Sequence, residues 1–155
     1  MRKTPVPISG TFFFWAGFVC SISFMEAWLK FQAPGVTLPV GLSIGKLIFT
    51  ALNRMEWVFV FLLLVWTVPG VKNLSAKFIS LSAMVLFILI IQTFLLLPVL
   101  NERAEMIIAG DTPGESSVHI LFGIAEIIKV LILLYLGFYS NKLFNSKRIP
   151  DLKNE

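Results

Sequence analysis

The stretch Phe78-Ile79-Ser80-Leu81-Ser82-Ala83-Met84-Val85-Leu86-Phe87-Ile88-Leu89-Ile90-Ile91-Gln92-Thr93-Phe94-Leu95-Leu96-Leu97-Pro98-Val99-Leu100-Asn101 contains no charged side chain. A helix needs about 20 apolar residues to cross the hydrocarbon of a bilayer, and this run supplies them. It shows no alternation of polar and apolar residues and is too long for a barrel strand of about 10 residues. Working outward, three further segments have the same character, near residues 12–31, 44–68 and 119–139, beside 78–100 itself. Pro34-Gly35, Pro69-Gly70 and Thr112-Pro113-Gly114 supply turns between them, and Ser116 or Ser117 can cap the last helix. The pattern predicts an all-α integral membrane protein, a four-helix bundle forming a single domain over 1–155.

Composition points the same way. Hydrophobic residues make up 57% of the 155 and charged residues 14%, against about 25% charge in a soluble domain. The mean hydropathy is +0.85. Fifteen Phe and four Trp would leave a water-exposed surface prone to aggregate, so the lipid bilayer is the expected partner. The formal net charge of +4 does not indicate nucleic acid. The basic residues stand at the ends of apolar runs and form no basic face interleaved with aromatics. The single cysteine, Cys20, excludes an intramolecular disulfide and a Cys-rich metal site, and is expected to be a small packing residue.

Arg2 and Lys3 precede an uncharged stretch, 4–25, that is longer than the usual core of a secretory signal. Val19 also stands where a lipoprotein cleavage box needs a small residue before Cys20, so a retained first helix is expected. Arg2, Lys3, Lys72, Lys77, Lys142, Lys147, Arg148 and Lys153, eight of the thirteen basic residues, fall on one side of a four-pass topology. By the positive-inside rule both termini are expected in the cytoplasm. The opposite connections, 32–43 and 102–116, contain the apolar pieces 36–40 and 106–109, expected to fold back over the bundle.

The informative residues are those a bilayer should exclude. The first helix carries Glu26 and Lys30, the second Asn53, Arg54 and Glu56, the third Gln92, and the fourth His119, Glu126 and Lys129. On the expected topology all lie in the outer half of the membrane or at its outer edge. A charge at the bilayer centre costs at least ~3 kcal/mol on insertion scales, so several of them must pair, or line water, between helices. Glu26 and Lys30 are four residues apart in the favourable order. Lys129 leans back along its helix toward Glu126. His119 shares a face with Glu126, with Gly123 expected as a close-contact position between them. Pro98 leaves the carbonyl of Phe94 without its helical donor. Glu26 and Glu56 in the first hairpin correspond to Gln92 and Glu126 in the second, and two hairpins related by an axis along the membrane normal would bring the four together.

The expected function is a polar pocket in the outer half of the bundle that binds or passes protons, an ion or a small polar ligand. Glu56 and Glu126 would titrate or coordinate, Lys129 and Lys30 would act as counter-charges, and Gln92, Asn53 and His119 as hydrogen-bonding partners, with Glu26 beside them. The competing reading is a structural or accessory subunit, whose polar residues specify packing in a homo-oligomer or hold a membrane-complex partner. A third is a quinone-binding redox subunit or membrane-embedded enzyme. No nucleophile motif, P-loop or dinucleotide fingerprint is present, so an enzyme is not expected. A single histidine excludes a haem held by two. Zinc on His119 with Glu26, Glu56 and Glu126 is chemically allowed but has no ligand spacing, which leaves metal and cofactor open. Gly17-x-x-x-Ser21 and Gly41-x-x-x-Gly45 have the spacing of close helix contacts.

The stretches Glu26-Ala27-Trp28-Leu29-Lys30-Phe31-Gln32-Ala33-Pro34-Gly35-Val36-Thr37-Leu38-Pro39 and Gly45-Lys46-Leu47-Ile48-Phe49-Thr50-Ala51-Leu52-Asn53-Arg54-Met55-Glu56 resemble a small four-helix bacterial membrane family without an assigned activity. So do Gln92-Thr93-Phe94-Leu95-Leu96-Leu97-Pro98-Val99-Leu100-Asn101-Glu102-Arg103-Ala104 and Ser117-Val118-His119. The likeness covers roughly residues 24–132. It implies a bacterial inner-membrane setting and nothing about substrate.

Overall fold

The computed structural model describes residues 6–69 and 74–145. Among the described residues four helical rods are long and apolar enough to cross a membrane: α1 (Ile8–Gln32), α2 (Leu38–Thr67), α3 (Ala76–Ile108) and α4 (Val118–Lys142). No strand is found among the described residues. The chain is a four-helix membrane-spanning bundle. α1 packs on α2 and α4, and α3 packs on the same two helices, so α1 and α3 stand on one diagonal and α2 and α4 on the other.

The rods are longer than the apolar runs alone suggest, and both long connections shrink. Pro39 sits in the first turn of α2, where its missing N–H and fixed φ fit a helix start. Leu38, Pro39 and Val40 are therefore helical and do not fold back. Gly35, at φ +83°, makes the tight turn before them, in the left-handed region open to glycine. In α3 the polar run Asn101-Glu102-Arg103-Ala104-Glu105 is made of helix-compatible residues, and the helix continues through Ile108. Gly110, at φ +94°, ends it. Ser75 caps the start of α3 by accepting from the Phe78 amide at 3.2 Å.

Two of the rods contain a wide turn. Residues Cys20–Glu26 of α1 and Gln92–Leu96 of α3 are π-helical. In α3 the Leu97 amide donates to the Gln92 carbonyl, five residues back. The wide turn falls just before Pro98, where an ordinary α ladder would already lack a donor.

At the end of the bundle where α2 finishes and α3 begins, the core is aromatic and aliphatic. Ile8, Phe12, Trp15, Ala16 and Val19 form the buried stripe of α1, against Phe59, Phe78, Val85, Leu133 and Leu136. Trp15 stacks on Phe59 (centroids 5.7 Å apart) and Phe12 meets Phe78 edge-on at 5.9 Å. Gly137 lets the Phe13 ring lie against α4, since a Cβ there would sit 2.9 Å from it. The other glycine expectations divide. Gly41 and Gly45 receive Phe31 and Lys30 of α1, whereas Gly17 and Gly123 face open space. Outward-facing positions are large and apolar, among them Phe14, Leu47, Phe61, Phe94, Leu131 and Phe138, all above 60% exposed, as a lipid-facing surface requires.

Lys77 and Lys142 lie at the same end of the bundle, Lys77 with its ammonium 4.8 Å from the Tyr135 ring. The other basic residues of the topology argument, Arg2, Lys3, Lys72, Lys147, Arg148 and Lys153, lie outside the described residues.

Candidate functional site: a sealed polar cluster and a cavity beside it

All four helices contribute to one buried polar cluster. Glu126 and Lys129 lie three apart on α4, Gln92 opens the π turn of α3, Glu56 comes from the middle of α2, and Trp15 from α1. Glu56 and Trp15 are 1% exposed, and Gln92, Glu126 and Lys129 are 0% exposed. The Lys129 ammonium lies 2.5 Å from Glu56 Oε1, 2.6 Å from Gln92 Oε1 and 3.2 Å from Glu126 Oε1. A lysine has three donors and no acceptor, so each N–H meets one oxygen. Gln92 Nε2 donates to Glu126 Oε1 at 2.8 Å, and the Trp15 indole N–H donates to Glu56 Oε1 at 3.0 Å.

One atom stands apart. Glu126 Oε2 is buried and has no hydrogen-bond partner. The fully ionised cluster holds two carboxylates and one ammonium, so one negative charge has no counter-charge in a medium where charge burial is costly. One further unit of positive charge would neutralise it, and the free lone pairs on Oε2 are the place to receive it.

A neutral set lies beside the cluster. Thr93 Oγ1 accepts from Asn53 Nδ2 at 2.9 Å and from Trp57 Nε1 at 3.1 Å. Its own hydrogen goes to the Leu89 carbonyl at 2.8 Å. This ties α2 to α3 one residue away from both Glu56 and Gln92.

The remaining expected residues do not join the cluster. Glu26 is half-buried and pairs with Lys30, Oε1 at 3.3 Å and Oε2 at 3.4 Å from the ammonium. Trp15, and not Glu26, is the contribution of α1 to the deep site. The Lys30 ammonium sits between the rings of Phe31 and Phe49, 5.5 and 5.6 Å from their centroids. It lies against Gly45, where a Cβ would come within 2.7 Å of it. With Asn101 and His119 it lines a cavity of about 330 Å³ at the end of the bundle that holds the Pro34 turn. Phe49, Leu97 and Phe122 are the apolar part of that lining nearest the cluster. Each stands four residues, one helical turn, from Asn53, Thr93 or Glu126. Phe49 and Phe122, both in that lining, meet edge-on at 5.6 Å. Among the described residues no group of three His, Cys, Asp or Glu side chains is placed to hold a metal ion. His119 lines the cavity and is exposed, while Glu56 and Glu126 lie in the sealed cluster.

No family model, curated protein or solved structure matches the chain. Its chemistry therefore rests on its own residues. Trp15, Trp57 and Thr93 are the members that sequence reasoning passed over. A buried indole N–H needs an acceptor, so tryptophans at the depth of the carboxylates were a usable signal for the first two. Thr93 had none beyond its place next to Gln92.

Proposed function

We propose that this multi-pass membrane protein binds and releases a cation, a proton being the smallest, at the Glu126 carboxylate. The supporting observation is the unpartnered, buried Oε2 of Glu126 in a cluster of two carboxylates and one ammonium. Lys129 balances one carboxylate, Gln92 holds Glu126 Oε1 in place, and Trp15 and Lys129 together hold Glu56. The cavity lined by Lys30, Asn101 and His119 is the approach, and the Phe49–Phe122 pair is the barrier to be crossed. The setting is a bacterial inner membrane with cytoplasmic termini, which puts the cavity on the outer side.

A second reading is favoured by one feature: apart from Oε2, the polar atoms named in the cluster are paired and secluded. That suits an accessory subunit in which the cluster fixes the register of four helices and holds the bundle ready for a membrane partner.

The test is Glu126→Gln. The amide keeps an acceptor oxygen for Lys129 and Gln92 and leaves a neutral Glu56–Lys129 pair, so the variant should fold. Wild type in bilayers should show a carboxylic-acid carbonyl band that appears and disappears across a pH titration in infrared difference spectra. The variant should lack it. Identical spectra from both would overturn the proton-binding reading and leave the structural one.

A further inference from the structure

Arg54 belongs to neither region described above. It is exposed, and among the described residues nothing hydrogen-bonds to it or forms an ion pair with it. Its position makes that notable. α2 has 30 residues, about 45 Å of helix, and a hydrocarbon layer is about 30 Å thick. Wherever that layer is set along the helix, Arg54 falls within it. With the apolar run from Trp57 to Thr67 kept inside the layer, Arg54 lies about 10 Å below the edge nearer Leu38. Its side chain leans toward the N-terminus of α2, so the guanidinium rises toward that edge along the outside of the bundle.

The surface it rises along is a shallow face formed by Lys46, Leu47, Thr50, Ala51, Arg54 and Met55. All six come from α2, so this is an open face of one helix with no second wall. Lys46, Thr50 and Arg54 are successive turns of one face. Lys46 is answered by Glu105 of α3, and the Thr50 hydroxyl donates to the Lys46 carbonyl at 2.7 Å. One positive charge, that of Arg54, is left over. A phosphodiester carries one negative charge and accepts the planar guanidinium fork bidentately.

We propose that this face of α2 is a binding site for an anionic phospholipid. The phosphate is held by Arg54, and an acyl chain runs over Met55, Val58 and Leu62, all exposed and apolar. The site is independent of the Glu126 cluster and stands whether or not that cluster binds a proton.

The experiment is thermal unfolding of the purified protein in detergent micelles with added phosphatidylglycerol, phosphatidylcholine of the same chains, or inorganic phosphate. Phosphatidylglycerol should raise the midpoint saturably, and the other two should not. Arg54→Gln, an exposed change that leaves the core intact, should weaken the apparent lipid affinity on the order of tenfold, and Arg54→Lys should recover part of it. Native mass spectrometry of wild type and Arg54→Lys gives a second readout of retained lipid if the glutamine variant folds poorly. Equal lipid responses from wild type and Arg54→Gln would overturn the proposal. So would an equal shift with inorganic phosphate or phosphatidylcholine, or a dimer in the wild type that Arg54→Gln dissociates, which would make a second copy the occupant.

Discussion

The bundle treats similar residues in opposite ways at two depths. In the middle, a lysine, two glutamates and a glutamine are fully buried and bonded to one another, with no exposure that the lysine can use. One turn beyond the Phe49–Phe122 pair, Lys30, Lys46, Asn101 and His119 border a cavity, and the two lysines pair with Glu26 and Glu105, which are not part of its lining. The difference lies in what surrounds each group. Four helices close on the first set, and each supplies a partner. The second set sits where α1 is ending and the connections begin, so fewer helices are at hand to supply partners. Similar side chains are thus closed off from solvent at one level and left bordering a cavity at the other.

Removing Lys129 should break this contrast most severely. Lys129→Met leaves two buried carboxylates with no counter-charge, an expected loss of about 3–5 kcal/mol, read as a collapse in folded yield and melting temperature in detergent. The double change Lys129→Met with Glu126→Gln should recover only part, because Glu56 keeps its charge and only Trp15 remains beside it. A full recovery would mean that Glu56 is not part of the electrostatic unit.

Phe122→Ala attacks the proposed barrier. Emptying a buried phenylalanine should cost about 3 kcal/mol and let water from the cavity reach the cluster. Hydrogen–deuterium exchange of the buried side chains should then be faster than in wild type. An unchanged rate would show that the cavity is not the way in.

Trp15→Phe keeps the packing against Phe59 and deletes one donor to Glu56. The expected cost is about 2 kcal/mol, in the range for hydrogen bonds to charged groups, visible as a lowered melting temperature with an unchanged helical signal. Smallest of all, His119→Ala should leave stability within about ±0.5 kcal/mol, since the imidazole is exposed. A large loss on heating would assign His119 a structural task that its surroundings do not give it.

The four crossings were legible because length and charge exclusion are properties of single segments: Phe78 to Asn101 needs no partner to be recognised. The convergence of Glu56, Gln92 and Glu126 could be anticipated from the cost of leaving them in lipid. The place of Glu26 could not. The π turn at residues Cys20–Glu26 alters which face of α1 its last residues present, and no pattern of apolar residues announces a wide turn. The apolar pieces at 36–40 and 106–109 were expected to fold over the bundle, and Leu38 to Val40 and Met106 to Ile108 proved helical. Near a membrane edge, hydrophobicity does not distinguish a helix that continues from a loop that returns.

The wide turn of α3 has a consequence for how the chain can vary. It separates the helix into two stretches whose faces are set independently: Phe78, Val85 and Leu89 in phase with the deep core, Leu97, Leu100, Asn101 and Ala104 in phase with the cavity. The wide turn already takes up one extra residue, so deleting one residue at the lipid-facing Phe94 should let it close to an ordinary α turn and leave the stretches on either side facing as they do. The cavity would keep its α3 wall and the core stripe its register, whereas the same deletion inside either regular stretch should swing everything beyond it by about 100°. Residues 92–96 are therefore the place in α3 where the chain can lose a residue without turning one half of the helix against the other.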